Sequence, residues 1–440
     1  MKHISWTPQN ITSAFLCVML TVFLLAVGAG GYTTITRFKF GLMLVLCGLY
    51  FVAMVISFLW MKEKKMVIPR PKLTLVHWLV IAFWGFCALS TFLSPFFPDT
   101  IIGNHRFEGL VTISIYVIIF LLVSFYGELK PWLLDVFAVS MLLFCLLCFV
   151  QFLGFNPFTL YPEGLNYYDG NDAYRYEFLG TIGNVGLVAA ILAVAALAFA
   201  VAAVRGKGKR RYLYLITFLA VLAVTVYSKV AAAYVAVFGG LLFLVPLAMV
   251  RERKKKILIL LLIFALLLAG FLFLLFVDVG SGTLHEFHML LHGDWDDKYG
   301  TGRIFIWRNV LELVPERLFL GGGPDTLGER MTAEFQRYDE EKGMLFRAAI
   351  DTAHNEYLNI LVNEGLLALI PYLAALLLSF VAFVKENPKN TAAAVCGAGV
   401  LGYSIQAFFG LRMCITAPFF WLAWALLLAA LRKKEAVDKG

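Results

Sequence analysis

The sequence predicts an all-α, polytopic integral membrane protein, because apolar segments fill most of the chain and polar residues are confined between them. Of the 440 residues, 61% are hydrophobic and 15% are charged, and the mean hydropathy is +0.82. A soluble domain keeps about a quarter of its residues charged, so that its surface can face water. Stretches of roughly 20 apolar residues, the length that crosses a bilayer as a helix, recur along the chain.

These stretches predict about twelve transmembrane helices. They lie at residues 11–31, 40–61, 73–93, 109–126, 132–153, 182–204, 212–227, 230–250, 257–277, 357–380, 391–409 and 413–431. The first stretch has a basic start but no obvious small-residue cleavage site. We therefore interpret it as a retained span and not as a removed signal peptide.

The positions of lysine and arginine predict which side of the membrane each loop occupies. Five of these residues lie in each of the segments 62–72, 205–211 and 251–256, and short loops rich in them stay in the cytoplasm. Both termini are then cytoplasmic. The chain divides into residues 1–277 with helices 1–9, a large extracytoplasmic loop at 278–356, and residues 357–440 with helices 10–12 and a cytoplasmic tail.

The segment 278–354 is the only long polar stretch, and it contains eight Lys or Arg against fourteen Asp or Glu. The net charge of +8 therefore reflects membrane topology and excludes a nucleic-acid-binding protein, which would gather basic residues on one soluble face. Within the segment, apolar residues at helical spacing predict a short helix over 301–314. Pro315 and the run Gly321–Gly323 end that helix.

Few cations are predicted on the external side. Outside the large loop they are Arg37, Lys39, Arg106, Arg175, Lys229 and Arg412. Guanidinium groups bind phosphate bidentately, so this set with one histidine at the membrane surface favours a phosphate-bearing lipid substrate. His354 has an ordinary pKa near neutrality and can accept a proton from a hydroxyl or hold a phosphate. The alternative is that these residues only anchor the protein among lipid headgroups.

Three histidines offer a second possible site. His285, His288 and His292 are spaced for one face of a helix, and Asp294 follows. Such a group could bind a divalent metal. Because the spacing matches no defined ligand motif, we favour an amphipathic helix resting on the membrane and predict no metal.

Three short motifs resemble the O-antigen ligase and polymerase family of bacterial membrane glycosyltransferases. His354-Asn355, nine residues and then Gly365 is similar to the family's histidine motif. Gly302-Arg303 with Trp307 and the later glycine run looks like its arginine helix. Gly180 to Asn184, preceded by Arg175, is similar to its Gly-Thr-x-Gly-Asn helix start. The motifs occur in the family's order, and the resemblance extends over most of the chain.

The resemblance implies a GT-C-like enzyme of the bacterial cytoplasmic membrane whose active site faces outward. It implies transfer of a glycan from an undecaprenyl-diphosphate carrier to a hydroxyl of a glycan or lipid-anchored acceptor, without a nucleotide sugar, metal or other cofactor. The family usually has Ser-Arg where this chain has Ser228-Lys229. The resulting hypothesis assigns His354 and Arg303 as catalytic, Lys229, Arg175 and Arg106 as diphosphate-binding, and Asp351, Asn355, Ser228 and Gly365 as supporting residues.

Two other functions remain open from the sequence. A transporter or flippase of lipid-linked glycans suits twelve spans, although transporters tend to place polar groups at the membrane midplane and to show internal repeats. A metal-dependent transferase would use His288, His292 and Asp294. No residue decides between ligase and polymerase, which differ only in the acceptor.

Overall fold

The computed structural model describes residues 6–68, 72–161, 178–244, 250, 252–339, 344–386 and 390–437, and these are largely helical. In chain order the α-helices are α1 (Pro8–Val18), α2 (Ile35–Glu63), α3 (Leu75–Phe92), α4 (Leu110–Tyr126), α5 (Pro131–Phe152), α6 (Val185–Arg205), α7 (Lys209–Tyr227), α8 (Ala231–Tyr234), α9 (Gly240–Leu244), α10 (Arg253–Phe276), α11 (Gly282–Leu291), α12 (Arg303–Leu313), α13 (Leu327–Arg330), α14 (Glu356–Asn363), α15 (Leu366–Glu386), α16 (Thr391–Gln406) and α17 (Ala417–Val437).

Shorter elements complete the secondary structure. A π-helical turn, Met19–Phe23, continues α1, and another, Val235–Gly239, joins α8 to α9. Single 3₁₀ turns lie at Gly31–Thr33, Asp99–Ile101, Pro157–Thr159 and Pro315–Arg317. One antiparallel hairpin, β1 (Glu334–Asp339) with β2 (Met344–Ala349), pairs Glu334 with Ala349; the sequence analysis did not predict it.

The helices confirm an all-α membrane protein. Among the described residues, seven helices are long and apolar enough to cross a membrane, namely α2, α3, α5, α6, α7, α10 and α15. Four shorter apolar helices lie at Pro8–Phe23, Leu110–Tyr126, Ala231–Leu244 and Ala417–Arg432. The count of twelve spans, the division into 1–277, 278–356 and 357–440, and the GT-C class stay predictions.

The predicted continuous span from Tyr357 is wrong, because two helices meet there at a break. The first of them, α14, ends at Asn363, and α15 begins at Leu366. Gly365 lies between them with φ +86°, a left-handed conformation that a glycine adopts without a Cβ penalty. Hydropathy alone does not register this break, since both flanking segments are apolar.

The centre of the helix bundle is α6, which packs against α16 and α7. In its most apolar stretch of 18 residues, 94% of the residues are buried. Small residues allow the close approach: a Cβ on Gly402 of α16 would lie 2.3 Å from the carbonyl oxygen of Ala193 in α6. The opposite extreme is α10, with only 6% of the residues in its most apolar stretch buried. Most of its surface is therefore exposed and does not pack on the other described helices.

The bundle has one end against which the polar segment packs, and we call it the loop end. At this end α5 and α16 finish and α6 starts, as two contacts show. Gln151, in the last turn of α5, accepts hydrogen bonds from the N–H groups of Leu179 and Gly180 shortly before α6. Gln406, the last residue of α16, donates to the carbonyl of Gly186 in α6 at 3.2 Å. Asn184 caps the start of α6 by accepting from the backbone of Gly186 at 2.9 Å. This cap explains the Gly-Thr-x-Gly-Asn motif as a helix start.

Candidate functional site

The predicted histidine lies in a short backbone turn fixed on both sides. The carbonyl of Ala353, the residue before His354, accepts a hydrogen bond from the indole N–H of Trp307 at 3.0 Å. The N–H of Ala353 donates to the side-chain oxygen of Asn359 at 3.1 Å. His354 itself has φ +47°, a left-handed backbone conformation that is uncommon for a residue other than glycine. Its partly buried imidazole makes no hydrogen bond to another described residue.

The predicted arginine starts α12. Gly302 precedes it with φ +85°. The guanidinium of Arg303 donates to the carbonyls of Gly300 at 2.8 Å and Phe409 at 2.9 Å, so it links the polar segment to the loop end of α16. Its Nε is buried without a partner. In the described part of the chain no carboxylate lies within ion-pair distance of Arg303.

A second arginine comes from the turn before α4. Arg106 forms a bidentate ion pair with Asp351, in which Nε and Nη2 lie 2.8 Å from the two carboxylate oxygens. The turn is itself fixed, because the carboxylate of Asp325 accepts from the backbone N–H groups of His105 at 3.1 Å and Arg106 at 2.8 Å. Residues far apart in the sequence are thereby joined beside His354.

The electrostatics place three of the predicted residues around the histidine. Burial, together with the positive charges of Arg303 and Arg106, lowers the pKa of His354 to about 4, and the carboxylate of Asp351 partly opposes them. Burial also lowers the pKa of Arg303. His354 is consequently neutral at physiological pH and lies in a positive field. This cluster of Arg106, Arg303, Asp351 and His354 is called the charged centre below.

The remaining residues of the histidine motif support the backbone. Asn355 caps α14, because its side chain accepts a hydrogen bond from the N–H of Leu358 at 3.0 Å; no hydrogen bond to His354 accompanies it in the described structure. Gly365 allows close packing of two chain segments, since a Cβ there would lie 2.3 Å from the carbonyl oxygen of Phe319. The nine-residue gap of the motif thus contains the eight residues of α14 and Glu364.

The glycine run pairs with this break through its backbone. Gly322 donates to the carbonyl of Val362 at 3.1 Å and Gly323 to that of Asn363 at 2.8 Å. A Cβ on Gly322 would collide with the guanidinium of Arg330, which donates to the carbonyl of Val362 at 2.7 Å. Burial lowers the pKa of Arg330 to about 10. The tight turn predicted here is present, and Arg330 is a contact that the sequence analysis missed.

A buried ionic network lies between the charged centre and the helix bundle. Arg412 donates to Glu108 at 3.0 Å and to Glu364 at 2.8 Å, and its side chain is only 2% exposed. Glu108 also accepts from the hydroxyl of Tyr116 at 2.7 Å. Glu356, next to Asn355, accepts from two further tyrosines, Tyr372 and Tyr403, at 2.8 and 2.9 Å.

The sequence analysis counted Arg412 as an external cation but did not assign it to the site. Its partners lie 304 and 48 residues away along the chain. Pairing across such distances leaves no mark in a single sequence. The one available signal was the presence of Glu108 at the start of one apolar span and of Glu364 inside another, where an ionised carboxyl needs a partner.

The predicted diphosphate-binding turn lies at the same end of the bundle but is separate. Ser228 donates to the carbonyl of Thr225 at 2.7 Å, and Lys229 is exposed with φ +54°. Tyr227, just before them, packs against Phe152 with ring centroids 4.7 Å apart and ring planes at 46°, which puts the turn at the loop end. No described hydrogen bond or ion pair joins Lys229 to the charged centre. Arg175 lies outside the described residues.

The three histidines, two in α11 and His292 just after its last residue, are engaged in local contacts. His285 approaches the carboxylate of Asp278 at 2.6 Å, and His288 and His292 each contact a backbone carbonyl, those of Leu274 and His288. Among the described residues no group of three His, Cys, Asp or Glu side chains is arranged to hold a metal ion. The amphipathic-helix interpretation accounts for these contacts.

Together the fold and the charged centre define a helical membrane protein with a cationic site where a polar segment packs on the bundle. Residues 216–373 match the family model described as O-antigen ligase, which confirms the resemblance to the O-antigen ligase and polymerase family. The match supports a membrane protein that transfers glycans as a ligase or polymerase. It covers Lys229, Arg303, His354 and Gly365 and leaves out Arg106 and Arg412. No curated protein matches the chain.

Proposed function

We propose that the protein transfers a glycan from an undecaprenyl-diphosphate carrier to an acceptor hydroxyl at the outer face of the bacterial cytoplasmic membrane, with both termini in the cytoplasm and no metal or other cofactor required. The observation that carries this proposal is the unpaired charge of Arg303. A partly desolvated guanidinium without a carboxylate partner is costly unless an anion joins it. A neutral histidine lies in its field, so an anion site and a proton acceptor are adjacent.

The chemistry follows from this pairing. The oxygen of the acceptor hydroxyl attacks the anomeric carbon of the glycan, and the bond between that carbon and the carrier's diphosphate breaks. The proton of the hydroxyl passes to the free ring nitrogen of His354. The electron pair leaves with the diphosphate, whose growing negative charge Arg303 stabilises.

Binding of the donor would also activate His354. The positive charges of Arg303 and Arg106 contribute to its low pKa. A diphosphate beside them offsets those charges, so the pKa of the imidazole rises towards its ordinary value. His354 then becomes a stronger base only when the donor is in place.

Arg106 has a supporting role in this scheme. Both of its carboxylate contacts go to Asp351, which leaves Nη1 facing the sulfur of Met413 at 3.5 Å. Its charge reaches the diphosphate through space, while the ion pair holds the segment before His354. Lys229 and Arg175 complete the anion site in the proposal, with Lys229 acting as a point charge without the bidentate fork of arginine.

The carrier's hydrocarbon tail has an apolar cavity available at the loop end. A cavity of about 500 Å³ opens beside Thr181, between the end of α5 and the segment after α1, and Leu143, Leu147 and Val150 contribute to its wall. Thr181 belongs to the Gly-Thr-x-Gly-Asn motif and donates to the carbonyl of Leu24 at 2.6 Å. The motif therefore lies between a lipid-accessible cavity and the polar loop.

The test uses the full-length protein in membranes with a lipid-diphosphate-linked glycan and a candidate acceptor. R303Q and H354N are expected to lower transfer at least a hundredfold, since each removes a group that acts in the transition state. Two matched controls are R308Q, on the same helix but ion-paired to Asp297 at 3.0 Å, and H292N just after α11. Both should transfer at the wild-type rate.

Unchanged transfer in R303Q and H354N would overturn the site assignment. Movement of the glycan lipid across the membrane without a new glycosidic bond would favour the flippase. Loss of transfer in EDTA with recovery in Mn²⁺ would favour the metal-dependent enzyme. Offering a lipid-anchored core and a free glycan chain as rival acceptors distinguishes a ligase from a polymerase.

A further inference from the structure

A second cavity lies at the end of the bundle away from the charged centre. It has a volume of about 240 Å³ and opens between the start of α5, the turn from α6 to α7 and the start of α16. Because α6 runs from the loop end to this turn over 21 residues, the two ends are about 30 Å apart. The cavity therefore has no part in the proposed transfer reaction.

The mouth of this cavity is positively charged. Lys130, Lys207 and Arg210 line it. Arg210 is already paired with Asp135 at 2.8 Å, and Asp135 also accepts from the hydroxyl of Tyr214 at 2.7 Å. The ammonium groups of the half-buried Lys130 and the exposed Lys207 make no hydrogen bond or ion pair within the described structure. Two uncompensated ammonium groups thus share one opening.

The floor of the cavity continues into an apolar crevice. Leu129, Leu134 and Val395 line both the cavity and the crevice, which extends between the helices to Leu16 and Phe419. The lysines at the mouth are complementary in charge to the phosphate of a lipid headgroup. The apolar residues behind them suit the hydrocarbon of an acyl chain. The basic run at residues 252–256 carries charge of the same sign, but it contributes to neither the cavity nor the crevice.

We propose that this cavity is a binding site for an anionic phospholipid, with the phosphate between Lys130 and Lys207. The cavity of about 240 Å³ takes the first part of one acyl chain, and the crevice behind Leu134, at about 50 Å³, extends the apolar surface that this chain contacts. A phosphodiester of the adjoining leaflet supplies one negative charge, which attracts both ammonium groups and offsets half of their charge. The bound chain fills space between α5, α6 and α16, the same helices whose other ends form the loop end. The lipid would thereby stabilise the scaffold of the charged centre without touching it.

The test measures lipid binding and needs no enzymatic activity. Full-length protein in nanodiscs of phosphatidylcholine is given increasing phosphatidylglycerol, and bound lipids are counted by native mass spectrometry. K130Q/K207Q is expected to weaken phosphatidylglycerol binding roughly 25-fold, about fivefold for each charge removed. The matched control K62Q/K64Q removes two exposed lysines at the end of α2 that do not line the cavity, and it should change binding less than twofold.

Three results would overturn the proposal. The first is unchanged phosphatidylglycerol binding in K130Q/K207Q. The second is an equal loss in both double variants, which would mean diffuse attraction by surface charge. The third is displacement of phosphatidylglycerol by millimolar inorganic phosphate, which would mean that the crevice adds nothing. Thermal unfolding of both variants checks that each has folded, and binding is compared only at matched folded fractions.

Discussion

The indole of Trp307 donates a hydrogen bond to the carbonyl of Ala353 at 3.0 Å, and His354 is the next residue. This bond joins the helix that begins with Arg303 to the backbone of the histidine. The two residues proposed to act on the donor and the acceptor are thus held in one geometry by a single side chain between them. The tryptophan ring also packs edge-on against Phe408, with ring centroids 5.9 Å apart.

W307F should therefore impair transfer more than it destabilises the fold. Phenylalanine keeps the ring that packs on Phe408 but loses the N–H donor, which costs about 1 kcal/mol of stability. A small displacement of His354 from Arg303 lowers the rate by a larger factor, on the order of tenfold to a hundredfold. W295F is the control, since Trp295 is 58% exposed in the same segment. Equal transfer rates for W307F and the wild type would show that the bond does not position the site.

The pH dependence should reveal the low pKa of His354. In the free enzyme the acid limb of kcat/KM is expected near pH 4, well below the ordinary histidine value, because the imidazole pKa is about 4. The acid limb of kcat should lie at higher pH, since a bound diphosphate raises that pKa. R106Q removes a positive neighbour, so it should move the limb of kcat/KM upward.

Protonation of His354 also affects stability, with a definite sign. Between about pH 6.5 and pH 4, His354 is protonated in the unfolded chain but still neutral in the folded chain. The histidine therefore takes stability away as the pH falls through that window and has no effect above it. The unfolding temperature of the wild type should therefore fall relative to that of H354N as the pH is lowered from 7 to 4. A constant difference would contradict the buried, neutral imidazole.

The Arg412 network should be the most sensitive part of the fold. R412L leaves Glu108 and Glu364 buried without a cation, and removing one partner of a buried ion pair costs about 3–5 kcal/mol. The expected result is a large fall in the unfolding temperature in detergent. R317L, which removes an exposed arginine, should have little effect. Replacing all three network residues together, as E108Q/E364Q/R412L, should recover part of the loss because no unpaired charge remains.

Two glycines with nearly the same φ allow the cost of backbone strain to be measured separately from the cost of a steric clash. Gly365 has φ +86° and Gly154 has φ +89°, so an alanine at either position costs about 1–2 kcal/mol from conformation alone. A Cβ at Gly154 meets nothing within 4 Å, while one at Gly365 lies 2.3 Å from the carbonyl oxygen of Phe319. G365A should lower the unfolding temperature clearly more than G154A and should also reduce transfer. Equal shifts would mean that the glycine-run contact is loose.

The sequence predicted those parts of the structure that local patterns determine. Hydropathy located the helices, and the helix beginning at Arg303 follows from apolar residues four apart, such as Trp307 and Leu311. The cap at Asn184 was visible as a motif. The break at Gly365 was not, because its cause is a turn at Gly321–Gly323 that packs there from more than 40 residues earlier in the chain.

The composition of the charged centre was less accessible. His354 and Arg303 were assigned from the resemblance to the O-antigen ligase and polymerase family. Only that resemblance implied that the two residues lie close together. Arg106 was assigned to the diphosphate, yet its guanidinium contacts the carboxylate of Asp351, a pairing across 245 residues. Single-sequence reasoning recognises which residues can do chemistry but not which of them neutralise one another.

The buried pair of Arg412 and Glu108 also constrains how the chain is made. Ribosomes deliver Glu108 to the membrane 304 residues before its cation. Until Arg412 emerges, the carboxyl at the start of α4 has no basic partner from that turn, and α4 cannot settle against its final neighbours without burying a lone charge. We therefore expect the final packing of α4 to form only after the turn between α16 and α17 has been synthesised. A nascent chain that ends before residue 412 therefore contains Glu108 and Glu364 without the cation that pairs with both of them in the finished fold.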